Sequence, residues 1–413
     1  MDKPIKLLFL TDNFPPEVNA PATRTFEHCR EWVESGVDVT IITCAPNFPT
    51  GVVYPGYHNK FFQKEFIAGI KVIRVWSYMA SNKGTIKRIL DYISFGVSSF
   101  FAGLFVKSDL IIATSPQFFT AISGFALSVF KRRPWVMEVR DLWPESIRAV
   151  NAMTVSTRLW DWIESIELFL YRKAKKIIVV TDSFKDNLTR RGIDQNKIHI
   201  IKNGVLIDAF NIHQDDENLK DKYPQLNGKF VIGYLGTHGM AHKLDFILRC
   251  AKKVITQNDL HFLFIGDGAE KSSLLKIKDQ LRLDNVTMLP AIAKKDIVAH
   301  LSMFNAALIP LKKSDLFRTV IPSKIFESAA MRIPIILGVQ GESQALIENY
   351  HAGICFEPEN EQAFLESIFK LKADQNLYAR LQTGCEQLAL DFDRKKLAQE
   401  MLTAMLPKEE NKI

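Results

Sequence analysis

With 413 residues, 47% of them hydrophobic and 24% charged, the chain is too long for one ordinary core and too apolar to be a disordered segment. Two globular domains of about 200 residues each are therefore expected. The formal charge of +7 is uneven: residues 1–190 hold 24 Lys and Arg against 18 Asp and Glu, which leaves the later half nearly neutral.

The opening "MDKPIKLLFLTDNFPPE" has a short apolar run and no small-residue cleavage site, so it reads as a first strand and not a secretion signal. Short Val- and Ile-rich runs then recur at 5–11, 37–43, 71–77, 109–115, 135–139 and 175–181, with amphipathic segments between them. Continuous apolar strands alternating with helices imply a parallel sheet covered on both faces, a doubly wound α/β domain. The stretch 92–106, "YISFGVSSFFAGLFV", is too short to span a bilayer, which takes about 20 residues. A polar stretch at 211–229 reads as a linker, and the strand pattern restarts at 230–236, 260–266, 285–289, 305–311 and 333–338. The tail from 362 reads as consecutive helices. Two such domains in tandem place ligands near the carboxyl ends of their sheets. The five cysteines are scattered and form no C-x-x-C pair, which fits a reducing compartment and argues against a zinc site or disulfide framework.

One turn and one helix start carry candidate chemistry, and two further turns do not. The first strand-to-helix turn, "TDNFPPEVNAPATR", has no glycine, and the second strand ends without an acid for a ribose, so a dinucleotide-dependent dehydrogenase is disfavoured. In the second half "YLGTHGMAHKLDFIL" sets Gly236 and Gly239 around a turn before a helix; such glycines let backbone N–H groups approach a phosphate, although pairs of this kind also serve packing alone. The turn at 265–275, "IGDGAEKSSLL", reads as structural. In "VIPSKIFESAAMRIP" (320–334) Ser323 is placed to cap a helix. Lys324 in its first turn opposes the helix dipole, which asks for a compensating anion, and Glu327 stands one turn up on the same face. Lys324 could hold a diphosphate while Glu327 grips ribose hydroxyls; the alternative is an ordinary ion pair.

Together "PSKIFESAAMRIPII", the 234–248 turn, "KNGVLIDAF", "VRDLWPESI" and the opening 12–43 resemble the family 4 glycosyltransferases of the GT-B fold. Among these the chain is most similar to bacterial surface-polysaccharide enzymes of the L-fucosamine transferase type. The resemblance covers nearly the whole chain. It implies two facing Rossmann-like domains, an acceptor domain over 1–202 and a nucleotide-sugar donor domain over 203–390, with a last helix at about 391–413 crossing back. It also implies a retaining hexosyltransferase-type enzyme working without a metal or other cofactor. The donor would be a UDP-sugar, with N-acetyl-L-fucosamine or another deoxy or amino sugar as the transferred group. The acceptor would be a polyprenyl-diphosphate-linked saccharide in O-antigen, capsule or lipopolysaccharide synthesis.

Carried onto this sequence, the resemblance makes Asp141, Lys324 and Glu327 catalytic. It places Gly236, Thr237, Gly239, His242, Lys243, Arg318, Thr319 and Ser323 with them on the donor, and Arg24, Arg140 and Asp141 on the acceptor side. The chain also departs from the family. Relatives carry a glutamate pair spaced E-x7-E, and here the first position is Thr319. Arg and Lys are common where Thr237 and His242 stand, a Gly-Gly pair where Asn19 and Ala20 stand, and a histidine where Arg140 precedes Asp141.

Basic clusters flank two apolar segments: Lys83, Lys87 and Arg88 before 90–106, and Lys131, Arg132 and Arg133 after 118–130. Such a face suits an anionic lipid surface, while deeply buried core helices would look similar. The expected location is cytoplasmic, peripheral on the inner membrane. Nucleic acid is not expected as a partner, since no binding motif accompanies the charge. The competing readings are a UDP-sugar epimerase of GT-B fold and a non-catalytic, membrane-associated nucleotide-sugar binding module.

Overall fold

The computed structural model describes residues 3–48, 50–80, 85–115, 118–142, 157–211, 219 and 221–406. Lys83, the 143–147 part of the "VRDLWPESI" motif, residues 212–218 and 220 of the expected linker, and residues 407–413 of the expected last helix lie outside the described residues. The chain divides into two compact units, one running to Lys202 and joined by the chain from Arg394, the other spanning Asn203–Asp393.

In the first unit the elements run β1 (Lys6–Leu10), α1 (Ala20–Glu34), β2 (Asp38–Cys44), β3 (Phe62–Ile67), β4 (Ile70–Val75), α2 (Thr85–Leu104), β5 (Leu110–Thr114), α3 (Phe118–Lys131), β6 (Trp135–Val139), α4 (Thr157–Lys173), β7 (Lys176–Val179), α5 (Asp182–Arg190) and β8 (Ile198–Ile200). The strands lie in the order β3-β4-β2-β1-β5-β6-β7-β8. Every pair is parallel except the β3–β4 hairpin. The parallel strands are buried on both faces, hence the unbroken apolar runs. α1 begins where Asn19 accepts a hydrogen bond from the Ala22 N–H, an N-cap that satisfies one of the helix's free donors.

The second unit runs β9 (Phe230–Leu235), α6 (Leu244–Lys253), β10 (Leu260–Ile265), α7 (Lys271–Leu281), β11 (Val286–Leu289), α8 (Ile297–Leu301), β12 (Ala306–Pro310), α9 (Lys324–Ala330), β13 (Ile335–Gly338), α10 (Glu342–Tyr350), β14 (Gly353–Cys355), α11 (Glu361–Ala373) and α12 (Gln375–Asp391). Its six parallel strands lie in the order β11-β10-β9-β12-β13-β14. One face packs Leu263, Ile309 and Leu337 with Phe326 of α9; the other packs Ile232, Phe262 and Ile336 with Leu248 of α6 and Phe364 of α11. β9 is flanked by β10 and β12, so the chain leaves it in one direction and returns on the other side. Such a switch point opens a crevice at the carboxyl ends of the strands.

The last helix, α13 (Arg394–Met405), packs on α1 of the first unit. The Trp32 indole donates to the Ala398 carbonyl at 2.7 Å, the His28 ring lies 3.3 Å from the Met401 sulfur, and Arg394 pairs with Glu27. Among the described residues no helix is long and apolar enough to cross a membrane.

Candidate active site

The loops that follow β9 and β12 flank the switch point of the second sheet, and the main chain ties them together where the Lys312 N–H donates to the Ala241 carbonyl at 2.8 Å. Gly236 ends β9 at φ +145°, outside the range of ordinary residues. A Cβ there would lie 2.4 Å from Cε and 2.7 Å from Nζ of Lys324. The lysine stem thus crosses the bare Gly236 backbone. Its ammonium donates to the Tyr234 hydroxyl at 2.9 Å and lies 4.1 Å from the centroid of that ring. Tyr234 in turn donates to the Thr237 carbonyl at 2.6 Å, so one phenol links the ammonium to the turn. Gly266, at the end of β10, packs equally close: a Cβ there would fall 1.9 Å from the Gly236 carbonyl oxygen.

Electrostatically the cluster gathers buried groups around the Lys324 ammonium. Burial pushes the Lys324 ammonium down to about 8, against the opposing pull of Glu327. Burial, with Lys271 and Lys324 nearby, takes His238 down to about 4, and burial with Lys324 takes His242 down to about 3. Both imidazoles are therefore neutral near pH 7. His238 is fully enclosed, and neither of its ring nitrogens has a hydrogen-bond partner. Its ring centroid lies 5.8 Å from that of Tyr234, and the His242 centroid 5.7 Å.

The other donor-side residues have mixed settings. Gly239 has an ordinary φ of −113° and room for a Cβ, so no steric requirement for glycine exists there. Lys243 takes a left-handed conformation ahead of α6 and pairs with Asp245 at 3.5 Å. Arg318 is exposed, 3.7 Å from Asp315. The Thr319 hydroxyl donates within its own turn to the Leu316 carbonyl at 3.1 Å. The expected cap is corrected: Ser323 has helical φ and ψ and makes no side-chain capping bond, because the turn Val320–Pro322 already leads into the helix through the Ile325 N–H to Pro322 carbonyl bond.

Sequence reasoning missed four residues here. Tyr234 lies against the Lys324 ammonium and His238 packs on Tyr234; the apolar strand and the glycine turn pointed to backbone contacts with a phosphate and not to these two side chains. Lys312 and Lys313 follow β12. Lys312 lines both a pocket of about 250 Å³ with Gly239, Lys243 and Glu270 and one of about 290 Å³ with Lys313, Phe317 and Arg318. The signal was available as "IPLKK", a basic pair at the carboxyl end of a buried strand. Among the described residues no group of three or more His, Cys, Asp or Glu is arranged to hold a metal ion.

In the first unit the carboxyl end of β6 presents Arg140 and Asp141, whose N–H groups share the Ser115 hydroxyl at 2.8 and 3.4 Å. Arg140 also donates to the Pro21 carbonyl at 3.4 Å; burial pulls its guanidinium down to about 10 while Glu138 holds it up. Arg24 is turned inward and only 2% exposed, donating to Glu138 at 3.0 Å and to the Lys202 and Ile201 carbonyls at 2.8 and 3.0 Å. This setting makes it a brace between α1, β6 and the end of the first unit. Burial alone would raise the Glu138 carboxyl, but Arg24 and Arg140 overrule it and hold it below the usual range.

Residues 19–204 match the family described as "Glycosyl transferase 4-like domain", and residues 215–387 match "Glycosyl transferases group 1". The chain is a family 4 glycosyltransferase. This glycosyltransferase is 23% identical over 374 residues, 88% of its length and 91% of the relative's, to the colanic acid biosynthesis glycosyl transferase WcaI of Escherichia coli (strain K12). Among solved structures it resembles a sucrose-phosphate synthase from Thermosynechococcus elongatus, with TM-score 0.76 and 15% identity over 97% of this chain and 98% of that one. It also resembles Anabaena HepE in complex with UDP, with TM-score 0.70 and 14% identity over 97% and 99% of the two chains. These likenesses establish a GT-B α/β fold.

Proposed function

We propose that this glycosyltransferase moves a sugar from a UDP-sugar to a polyprenyl-diphosphate-linked saccharide during surface polysaccharide synthesis, with retention and without a metal ion. The observation that carries the reading is the seat of Lys324: a half-desolvated ammonium held over a side-chain-free backbone at the switch point, flanked by two neutral imidazoles. A dianionic diphosphate is the natural partner of such a group, since binding it replaces lost hydration with charge-assisted hydrogen bonds. That a structural neighbour is bound to UDP, and that a relative is named for colanic acid biosynthesis, supports the choice of donor and pathway class.

In this reading the bond from the anomeric carbon to the UDP phosphate oxygen breaks with its electron pair leaving on the diphosphate. The acceptor hydroxyl oxygen bonds to the same face of that carbon, and its proton passes to the departing phosphate. Lys324 meets the growing negative charge, Glu327 takes the ribose hydroxyls, and Lys243, Arg318, Lys312 and Lys313 supply the surrounding positive field. Asp141 and Arg140 serve the acceptor. Thr319, in place of a glutamate, leaves the donor sugar to be recognised by other contacts, which fits a deoxy or amino sugar.

The reading includes contact with the inner face of the membrane. On α2, Leu90, Ile93, Val97 and Phe101 are exposed at helical spacing, and Phe105 just beyond it is 86% exposed. Val129 and Phe130 at the end of α3 join them, Phe130 meeting Phe100 edge to face at 5.4 Å, with Lys131, Arg132 and Arg133 following. An apolar ridge beside basic side chains suits an anionic lipid surface.

A panel of UDP-sugars offered with a synthetic polyprenyl-diphosphate GlcNAc acceptor in EDTA, read by mass spectrometry, tests the proposal. Turnover only with acceptor supports it. Release of free UDP without acceptor indicates an epimerase, tight donor binding without turnover a binding module, and loss of turnover on chelation a metal-dependent enzyme.

A further inference from the structure

A second basic cavity lies in the first unit, at the amino-terminal end of its sheet. The register pairs Lys6 with Asp38, Thr40 with Lys71, and Lys71 with Phe66. Side chains alternate along a strand, so these residues share a face with Leu8, Ile42 and Ile73, which α2 covers through Phe95 and Ala102. α2 ends at Leu104, short of the first residues of the strands, and the chain turns back through Val106 and Lys107. The uncovered corner is a pocket of about 350 Å³, within the range of small-ligand sites.

Its charge is unbalanced. Of the two acids in the lining, Asp38 is taken by Lys71 at 2.6 Å and Glu65 by Arg74. Lys6, Lys64 and Lys107 remain, and among the described residues none of the three has a carboxylate within ion-pair distance. The rim is apolar: Phe66 is 73% exposed, and Phe105 borders Val106 of the pocket. Phe105 also ends the exposed ridge of α2, so a cationic cavity and a greasy track meet at one edge.

We propose that this corner binds the phosphate headgroup of an anionic glycerolipid, the lysines holding the phosphate and an acyl chain lying on Phe105 and Phe66. The inference rests on the proposed membrane contact and adds to it a discrete site, distinct in place from the catalytic ends of the strands. A phosphate with an attached hydrocarbon satisfies both halves of the corner; a free anion uses only the lysines.

The full chain is titrated calorimetrically with dihexanoyl phosphatidylglycerol below its micelle concentration, with the phosphatidylcholine analogue, and with inorganic phosphate, and vesicle flotation is run in parallel. Phosphatidylglycerol is expected to bind at least about tenfold more tightly than either control, and Lys64→Glu/Lys107→Glu to lose about that factor. Phe105→Ser, which leaves the charges in place, is expected to weaken the lipid and leave phosphate unchanged. Equal binding by the charge-reversed variant, or inorganic phosphate matching the lipid, overturns the proposal. Short-chain lipid binding without flotation of the wild type on phosphatidylglycerol vesicles sinks the membrane reading alone; flotation without short-chain binding sinks the pocket alone.

Discussion

Lys324 occupies the space that a side chain on residue 236 would need, its Cε 2.4 Å from where a Cβ would stand. Two residues 88 positions apart in sequence are thus coupled by exclusion. The bare backbone of one lets the stem of the other lie flat, which sets the height of the ammonium above the turn.

Gly236→Ala is therefore expected to act through Lys324. The methyl must displace a lysine stem, and φ +145° is strained for alanine, so UDP affinity should fall by at least about tenfold. Calorimetry with UDP measures it. If the coupling is as described, Gly236→Ala adds little to Lys324→Ala in a double-mutant cycle; full additivity would separate the two residues.

Lys324→Ala itself should remove about 2–4 kcal/mol of transition-state stabilisation, read from kcat/KM with a UDP-sugar. Unchanged kinetics would take Lys324 out of the site.

The Lys324 ammonium, lowered by burial to about 8, gives the same site a pH signature. Above that pH the free enzyme loses the charge that meets the diphosphate, so UDP affinity should fall with a limb near pH 8. A bound diphosphate favours the charged form, so binding below the limb should raise the lysine and, near pH 8, draw a proton from solution. Calorimetry in buffers of different ionisation enthalpy detects that uptake. Donor affinity flat from pH 7 to about pH 9 would contradict it.

Much of this was legible in the chain. The buried strands of both sheets announced themselves as unbroken apolar runs, and the glycine turn and "PSK" segment marked the loops after β9 and before α9, which the proposed function gives to the donor. β3 was not legible: "FQKEFI" alternates in exposure along an edge strand, so it has no apolar run, and its pairing with β4 is made through a two-residue turn at Ala68 and Gly69, both at positive φ. β14 is three residues long and half-exposed, too short to show a period. At the site, Ser323 has the residue type of a cap without the geometry, because capping depends on φ and ψ that the residue type alone does not fix. Arg24 likewise has the charge of a ligand contact, but its partners Glu138, Ile201 and Lys202 lie more than a hundred residues away in sequence and only the fold brings them together.

Asp141→Asn is expected to spare UDP binding and lower transfer by about two orders of magnitude, since the residue is assigned to the acceptor in the first unit. UDP calorimetry and acceptor-dependent turnover on the same preparation separate the two effects. An equal loss of both would recast Asp141 as a structural residue at the Ser115 junction.

Glu17 offers a test of the first unit independent of catalysis. Its carboxylate accepts the Asn47 and Phe48 N–H groups at 2.8 and 2.9 Å, and its second oxygen is buried without a partner. Burial, with Asp12 adding to it, raises the carboxyl from 4.5 to about 7, against the pull of the two N–H groups. The folded state therefore holds a proton that the unfolded state has released. The stability this contributes is fully present below pH 4.5 and is lost as pH rises through about 7. Glu17→Gln keeps an oxygen for the two N–H groups and never ionises. Its stability relative to wild type should climb across that window by on the order of 2 kcal/mol and level off above it. Amide exchange at Asn47 and Phe48, compared between the two proteins at each pH, follows the change locally. A difference that stays constant from acid to alkali would mean that Glu17 ionises in the fold as freely as in water.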